Sequence, residues 1–424
     1  MSAPSPGFAR PPEGAQENLG AARRFLMSGP LQGLRVLDIA TIIAAPTCAT
    51  LLADYGADVV KMELPGKGDG ARDFPPFKDG KSLWWKVINR NKKFITLDLR
   101  VPEGLALFKR LIADFDVLVE NFRPGTLDRW GLTREVLWAI QPRLVILRAT
   151  GFGQTGPYRN RPGFARLFEA MGGLTYITGE PDGEPMHSGY PVGDAIGGLF
   201  GAIGVLTALC RRIKEPDAPG EEIDLSMTEA MFRLLDFLAI EHDQLGTIRE
   251  RSGNANQYSA PAAVYASREG HFVSLSGSTN GLFAANARAI GRADLILDPR
   301  FATNAGRVRH SVEVNLVFAQ WMREHDLEDI LAAFEREGGT IAPVQSIDQI
   351  FKDPQMVARE AIVSVPDADF GSVRMQNVVP RFVGNPGQVR STAGALGEHN
   401  HDFYVTQLGL SEAELQGLRE QAVV

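Results

Sequence analysis

At 424 residues the chain exceeds one ordinary hydrophobic core, so two domains, or one large α/β domain with an insertion, are expected. Hydrophobic and charged fractions of 44% and 22% are those of a soluble globular protein. The 44 basic residues against 51 acidic ones give a net charge of −7, which argues against a nucleic-acid partner but not against a local basic pocket.

Met1–Gly20 is rich in Pro, Gly, Ala and Ser and lacks the charged-then-apolar layout of a signal peptide, so a cytoplasmic protein is expected. Leu34–Ile39 is an apolar run bounded by Gly33, and reads as a buried strand. Pro46 opens a helix over Thr47–Tyr55 that Gly56 closes, and Asp58–Glu63 is the next strand. Strand, helix, strand at this spacing predicts a parallel βαβ unit. The pattern continues with strands at Phe94–Asp98, Asp116–Glu120 and Leu144–Ala149 and a helix over Pro102–Phe115. In doubly wound sheets ligands lie beyond the carboxyl ends of the strands. The segments 40–46, 63–72 and 121–129 leave those ends.

Ile196–Cys210 is the longest apolar stretch, shorter than the roughly 18–20 residues of a membrane span, and is expected as a buried helix. Cys48 and Cys210 have no metal or redox spacing and are expected as buried thiols. Farther on, a short strand at Glu222–Ser226 precedes a helix over Met227–Leu245. Two strands near Ala263–Ala266 and His271–Leu275 follow, with helices near Gly281–Ala289 and Val312–His325. A final helix is expected at Ser411–Gln421. The expected division is an extension over 1–30, a large domain over 31–224, a small one over 225–330, and a returning segment over 331–424.

Three strings carry candidate chemistry. Gly66–Arg72 is glycine-rich but matches neither common phosphate-loop pattern; Lys67 and Arg72 are candidates for phosphate oxygens. Asn89–Lys93 gathers three cations, suited to a polyanionic nucleotide. Asn121–Gly131 offers an aromatic for an adenine face and a nearby arginine. No HExxH, GxSxG or His/Asp ligand cluster is present, so no metal is expected. Asp194 opens a helical run and reads first as an N-cap. Glu169 lies four residues beyond Ala165, about one helical turn.

Taken in order, Gly33–Asp38, Ala44–Pro46, Leu51–Glu63, Asn91–Lys93 with Leu97–Leu99, Val119–Gly125, Gly151–Tyr158 and Arg161–Gly163 resemble the family III CoA-transferases. Gly253-Asn254, Asp353–Gln355 and Leu396–His399 extend the likeness almost to the end. The resemblance implies a Rossmann-like large domain, a smaller α/β domain and two interlocked subunits. It implies coenzyme A as a substrate moiety, its pocket lined at Ile42, Ile43, Ala44, Leu64, Asn91, Lys92, Lys93, Asn121, Phe122 and Arg129, with Arg72 beside it. The family's glycine-rich loop corresponds to Ser252–Asn256, which holds one glycine.

The family's nucleophile is an aspartate following the Pro-Gly-aromatic step. Here that position is Ala165. The carboxylate attacks an acyl-CoA thioester, so a methyl group removes the covalent step. The chain is therefore expected as the nucleophile-lacking subunit of a heteromeric CoA-transferase. A homologous partner carries the aspartate, and CoA passes from an acyl-CoA such as succinyl-CoA to a carboxylic acid such as benzylsuccinate. The alternatives are an engineered homodimeric transferase with Ala165 in place of aspartate, an acyl-CoA-binding regulatory protein, and replacement of the nucleophile by Glu169 or Asp194. Neither a nucleic-acid nor a membrane partner is expected.

Overall fold

The computed structural model describes residues 29–424, so the expected N-terminal extension lies almost wholly outside the described residues. The chain packs as two compact units. The larger holds 29–172, 188–235 and 358–424; the smaller holds 173–187 and 236–357. The boundaries expected at 225 and 330 thus fall at 236 and 357.

The larger unit is built on six parallel strands: β1 (Arg35–Asp38), β2 (Asp58–Glu63), β3 (Lys93–Thr96), β4 (Val117–Glu120), β5 (Val145–Thr150) and β6 (Glu221–Ser226). Their order across the sheet is β3-β2-β1-β4-β5-β6. This doubly wound order reverses between β1 and β4, opening a crevice at their carboxyl ends. Strands β1 to β5 are buried at nearly every residue, which is why they are rich in Val, Ile and Leu.

Helices cover both faces: α1 (Ala44–Asp54), α2 (Pro102–Ile112), α3 (Ala165–Met171), α4 (Val192–Lys214) and α5 (Met227–Arg233). On one face Leu107, Phe108 and Leu111 of α2 share a core with Phe403, Tyr404 and Val423 from the C-terminal segment. On the other, Ala45, Cys48 and Ala49 of α1 pack with Ala202 and Val205 of α4 over Val36, Val119 and Leu147. The two helices approach through glycine. A Cβ at Gly198 would lie 2.7 Å from Thr47 Cγ2, and one at Gly201 would lie 3.2 Å from Cys48 Cβ.

Helix α4 corrects two expectations. It runs 23 residues and is long and apolar enough to cross a membrane by length and composition. It is also not wholly buried. One face packs on α1, β5 and β6, while Leu199, Ile203, Leu206 and Ile213 are exposed along the other. Cys210 is exposed with them, whereas Cys48 is buried. The helix expected over Met227–Leu245 breaks after Arg233, and α6 (Asp236–Leu245) begins the next stretch of the smaller unit.

The smaller unit holds an antiparallel sheet of β7 (Ala262–Ala266), β8 (Phe272–Ser276) and β9 (Ile341–Pro343), with β8 central. Helices α7 (Asn280–Ala289), α8 (Ser311–Arg323) and α9 (Leu327–Glu337) enclose Phe283, Phe301, Phe318 and Phe334. Helix α9 was not expected from the sequence. Arg307 is fully buried here; its guanidinium donates to the carbonyls of Ala260 and Phe301 and lies 4.5 Å over the Phe283 ring. The chain then returns to the larger unit as a hairpin, β10 (Ile362–Asp367) and β11 (Gly371–Gln376), and a capped helix, α10 (Glu412–Glu420).

Candidate active site

The crevice between β1 and β4 is clamped by one side chain. Asn121 Oδ1 accepts the Thr41 N–H at 2.8 Å, and Asn121 Nδ2 donates to the Thr41 carbonyl at 2.7 Å. Beside it, Ile42 has φ of +72°, a left-handed conformation that a β-branched residue rarely adopts. Asp69 holds it there: its carboxylate accepts the N–H groups of Ile42 and Ala71, each at 2.9 Å. Strained backbone at a crevice is a mark of functional sites.

A buried charge cluster supports that loop. Lys61 Nζ lies 2.9 Å from Asp69 and 3.8 Å from Asp38, and also donates to the Ala40 carbonyl. Lys92 Nζ donates at 2.8 Å to each of Asp38, the Pro46 carbonyl and Asn89 Oδ1. Two lysines face two aspartates, so the buried charge is balanced. Burial drives Lys92 down to about 8, with Asp38 opposing the fall. Burial also works against the charges of Lys61 and Asp69. Even so, Asp38 and Asp69 hold Lys61 above the ordinary lysine value, and Lys61 holds Asp69 below the ordinary carboxylate value.

Two cavities open from this loop and share Thr41, Ile42 and Phe122. One, of about 330 Å³, runs past Leu64, Lys67, Leu99, Arg100 and Trp130. The other, of about 280 Å³, is lined by Ile43, Ala44, Thr150, Phe164, Phe168 and Asp194, with Arg123, Arg159 and Arg161 among its wall residues. Phe168 is seated by glycine: a Cβ at Gly163 or Gly151 would fall 2.4 or 2.7 Å from its ring.

Ala165 is the first residue of α3 and is buried. The start of α4 backs against it, so that a Cβ on Gly193 would lie 3.0 Å from the Ala165 carbonyl oxygen. Glu169, buried on α3, accepts the Gly193 N–H at 3.0 Å. Asp194 follows as the third residue of α4. It is not the N-cap expected, because the helix begins at Val192 with Pro191 in the cap position. Burial, reinforced by the neighbouring Glu169 charge, pushes the Asp194 carboxyl up to about 6.

The structure brings together Ile42, Ile43, Ala44, Leu64, Asn121 and Phe122 around these two cavities. Asn121, however, spends its amide on Thr41. The remaining expected residues lie elsewhere. Arg72 is held by Glu63 through two bonds of 2.7 Å and stacks 4.0 Å over Trp85, so its cation is already neutralised. Asn91, Lys92 and Lys93 line a separate cavity of about 1070 Å³ together with Arg72 and Arg390. Lys92 is fully committed to the buried cluster, and Lys93 pairs with Asp58 at 2.7 Å. Arg129 lines a fourth cavity of about 660 Å³ with Arg134, Arg148, Arg159 and Glu222. Near it, burial raises Glu120 to about 7, opposed by Arg148. Sequence reasoning missed Thr150, Arg159 and Arg161. Thr150 had a signal, since it ends β5 at the face where ligands bind. Among the described residues no group of three or more His, Cys, Asp or Glu is placed to hold a metal ion.

The model of CoA-transferase family III matches residues 31–400. The chain belongs to that family. This CoA-transferase is 40% identical to the succinyl-CoA–D-citramalate CoA-transferase of Chloroflexus aurantiacus, over 93% of this chain and 98% of that one. It is 41% identical to the beta subunit of the succinyl-CoA–L-malate CoA-transferase of the same organism, with the same coverage. Among solved structures, a CAIB/BAIF family protein from Brucella suis superposes with a TM-score of 0.78 at 32% identity, covering 92% of this chain and all of that one. These findings agree with the α/β fold and the transferase class that the motifs implied.

Proposed function

We propose that this CoA-transferase moves CoA from succinyl-CoA to a small dicarboxylic acid of the malate or citramalate kind, in the cytoplasm. The observation that carries the reading is the 280 Å³ cavity at the switch point, with Arg123, Arg159 and Arg161 on its walls. Succinyl-CoA and a dicarboxylic acceptor each keep one free carboxylate, and arginine recognises carboxylates through paired N–H donors. The apolar and lysine-bearing 330 Å³ cavity, joined to it at Thr41, Ile42 and Phe122, suits the long pantetheine arm. The named substrates of the two Chloroflexus relatives support both the donor and the acceptor class.

A second reading is favoured by Ala165 together with the likeness to a beta subunit. In it this chain is the nucleophile-lacking member of a heteromer, and a homologous partner supplies the carboxylate. Both readings share the reaction. The test is an acceptor screen with succinyl-CoA and malate, citramalate, glutarate or benzylsuccinate, following product thioesters by chromatography. The chain is assayed alone and with any homologous chain that co-purifies from its source. Malate or citramalate should give the fastest exchange. Absence of exchange with every acceptor in both preparations would end the reading, and benzylsuccinate as the sole acceptor would correct its substrate class.

A further inference from the structure

We propose that Asp194 is the carboxylate that attacks the thioester in this chain, taking the role that Ala165 cannot fill. The inference rests on the transferase reading above and goes beyond it by making the chain self-sufficient.

Three observations carry it. Asp194 is the only Asp or Glu among the residues lining the 280 Å³ cavity. Its neighbour in the chain, Gly193, abuts the backbone of Ala165. Its carboxylate does not cap α4, and burial together with the Glu169 charge raises its proton affinity. Glu169, by contrast, is 1% exposed and bonded to the Gly193 N–H, behind the cavity wall.

The cavity also holds a donor without a partner. Thr150 Oγ1 is buried and forms no hydrogen bond within the structure. Leaving a buried hydroxyl unpaired costs free energy unless a ligand satisfies it. A thioester carbonyl in this cavity would meet that need, and the hydroxyl would then stabilise the oxyanion as it forms.

The steps balance without any further reactant. An Asp194 oxygen bonds to the acyl carbon of succinyl-CoA, the C–S bond breaks, and an acyl-aspartyl anhydride and CoA thiolate result. The thiolate attacks the Asp194 carbonyl carbon, the anhydride C–O bond breaks, succinate leaves, and Asp194 carries CoA as a thioester. The acceptor carboxylate then attacks that carbonyl, regenerating an anhydride and thiolate. Attack of the thiolate on the acceptor's acyl carbon releases the new acyl-CoA and the free Asp194 carboxylate. No proton or electron is gained or lost overall.

The test uses the full chain, free of any other protein, with succinyl-CoA as the probe. Binding is measured by calorimetry, and a quenched reaction is analysed by intact mass and peptide mapping. A CoA adduct on the peptide carrying Asp194 is expected. Asp194→Asn should abolish the adduct and cut turnover by at least about 10³-fold, with succinyl-CoA affinity kept within about threefold. Should Asp194→Asn fail to fold, the wild-type adduct map decides alone. An adduct on Glu169 or elsewhere, full activity in a folded Asp194→Asn variant, or succinyl-CoA binding with no adduct overturns the proposal. In the last case turnover restored by a homologous chain leaves the transferase reading intact. Failure to bind succinyl-CoA at all sinks both.

Discussion

Asp194 shows how far the surroundings of one residue reset its chemistry. Its carboxyl, raised to about 6 by burial and by Glu169, must ionise before it attacks a thioester. The free-enzyme kcat/KM should therefore fall about tenfold per pH unit below about pH 6. Stability moves the other way. A carboxyl whose affinity for its proton is higher in the folded state lends stability that is complete below its ordinary range and is lost as pH rises through 6. Acidifying from pH 7.5 to 5 should then tighten the fold through this group while slowing the reaction about tenfold, and Asp194→Asn should remove its share of the stability change. A pH series of kcat/KM and of melting temperature reads both. The facing groups are Glu169 from α3, Tyr190 ahead of α4, and the cavity's Arg123, Arg159 and Arg161. A bound dicarboxylate beside those arginines shifts the limb, so free-enzyme kcat/KM is the decisive profile. At this scale the sequence was least legible. It offered Asp194 as a cap because a carboxylate opening a helix usually is one, and only the placement of Pro191 and Gly193 shows otherwise. Lys92 and Arg72 carry charges already paired within the fold, which the sequence does not show. A cation in a basic string looks solvated until the fold closes carboxylates around it.

At the scale of elements, strands were read well and amphipathic connections less so. Strands β1 to β5 of the parallel sheet are buried on both faces, so their apolar-rich runs announce them without help from neighbours. Helix α9 was legible in principle: Ile330, Ala333 and Phe334 repeat at three- and four-residue spacing. The break between α5 and α6 was not, because no Gly or Pro marks Leu234-Leu235. The glycines of α4 read as a composition bias and prove to be a packing device. A side chain at Gly198 would have to displace Thr47, and through it α1. Gly198→Val should cost about 1–3 kcal/mol by overpacking, measured by denaturant unfolding. Since α1 opens with Ala44 in the cavity wall, weaker succinyl-CoA binding should accompany the loss.

The whole molecule leaves one face unexplained by its own packing. Leu199, Ile203, Leu206 and Ile213 line the side of α4 that faces away from the sheet. Soluble chains rarely expose so continuous an apolar stripe without a partner to cover it. We expect a second subunit there, a copy of this chain or a homologue. Ile203→Glu should shift the assembly to monomer in sedimentation or light scattering, while the isolated fold keeps its helical circular dichroism. An unchanged assembly mass would remove α4 from the interface. The expectation of two interlocked subunits came from the family likeness alone, because a helix's outward face is defined only once its inward face has found α1 and the sheet.

The clamp between Asn121 and Thr41, with Asp69 fixing Ile42, has a consequence for how this enzyme can change its diet. The floor of the crevice is set by side chains that spend their polar atoms on backbone, not on any acyl group. In the proposed function, what differs from one acid to the next would be met by Arg123, Arg159 and Arg161, which are exposed on the cavity wall. Under the proposed reading, a new acceptor would be accommodated by exchanging a few outer-wall residues while the clamped frame of the crevice stays as it is.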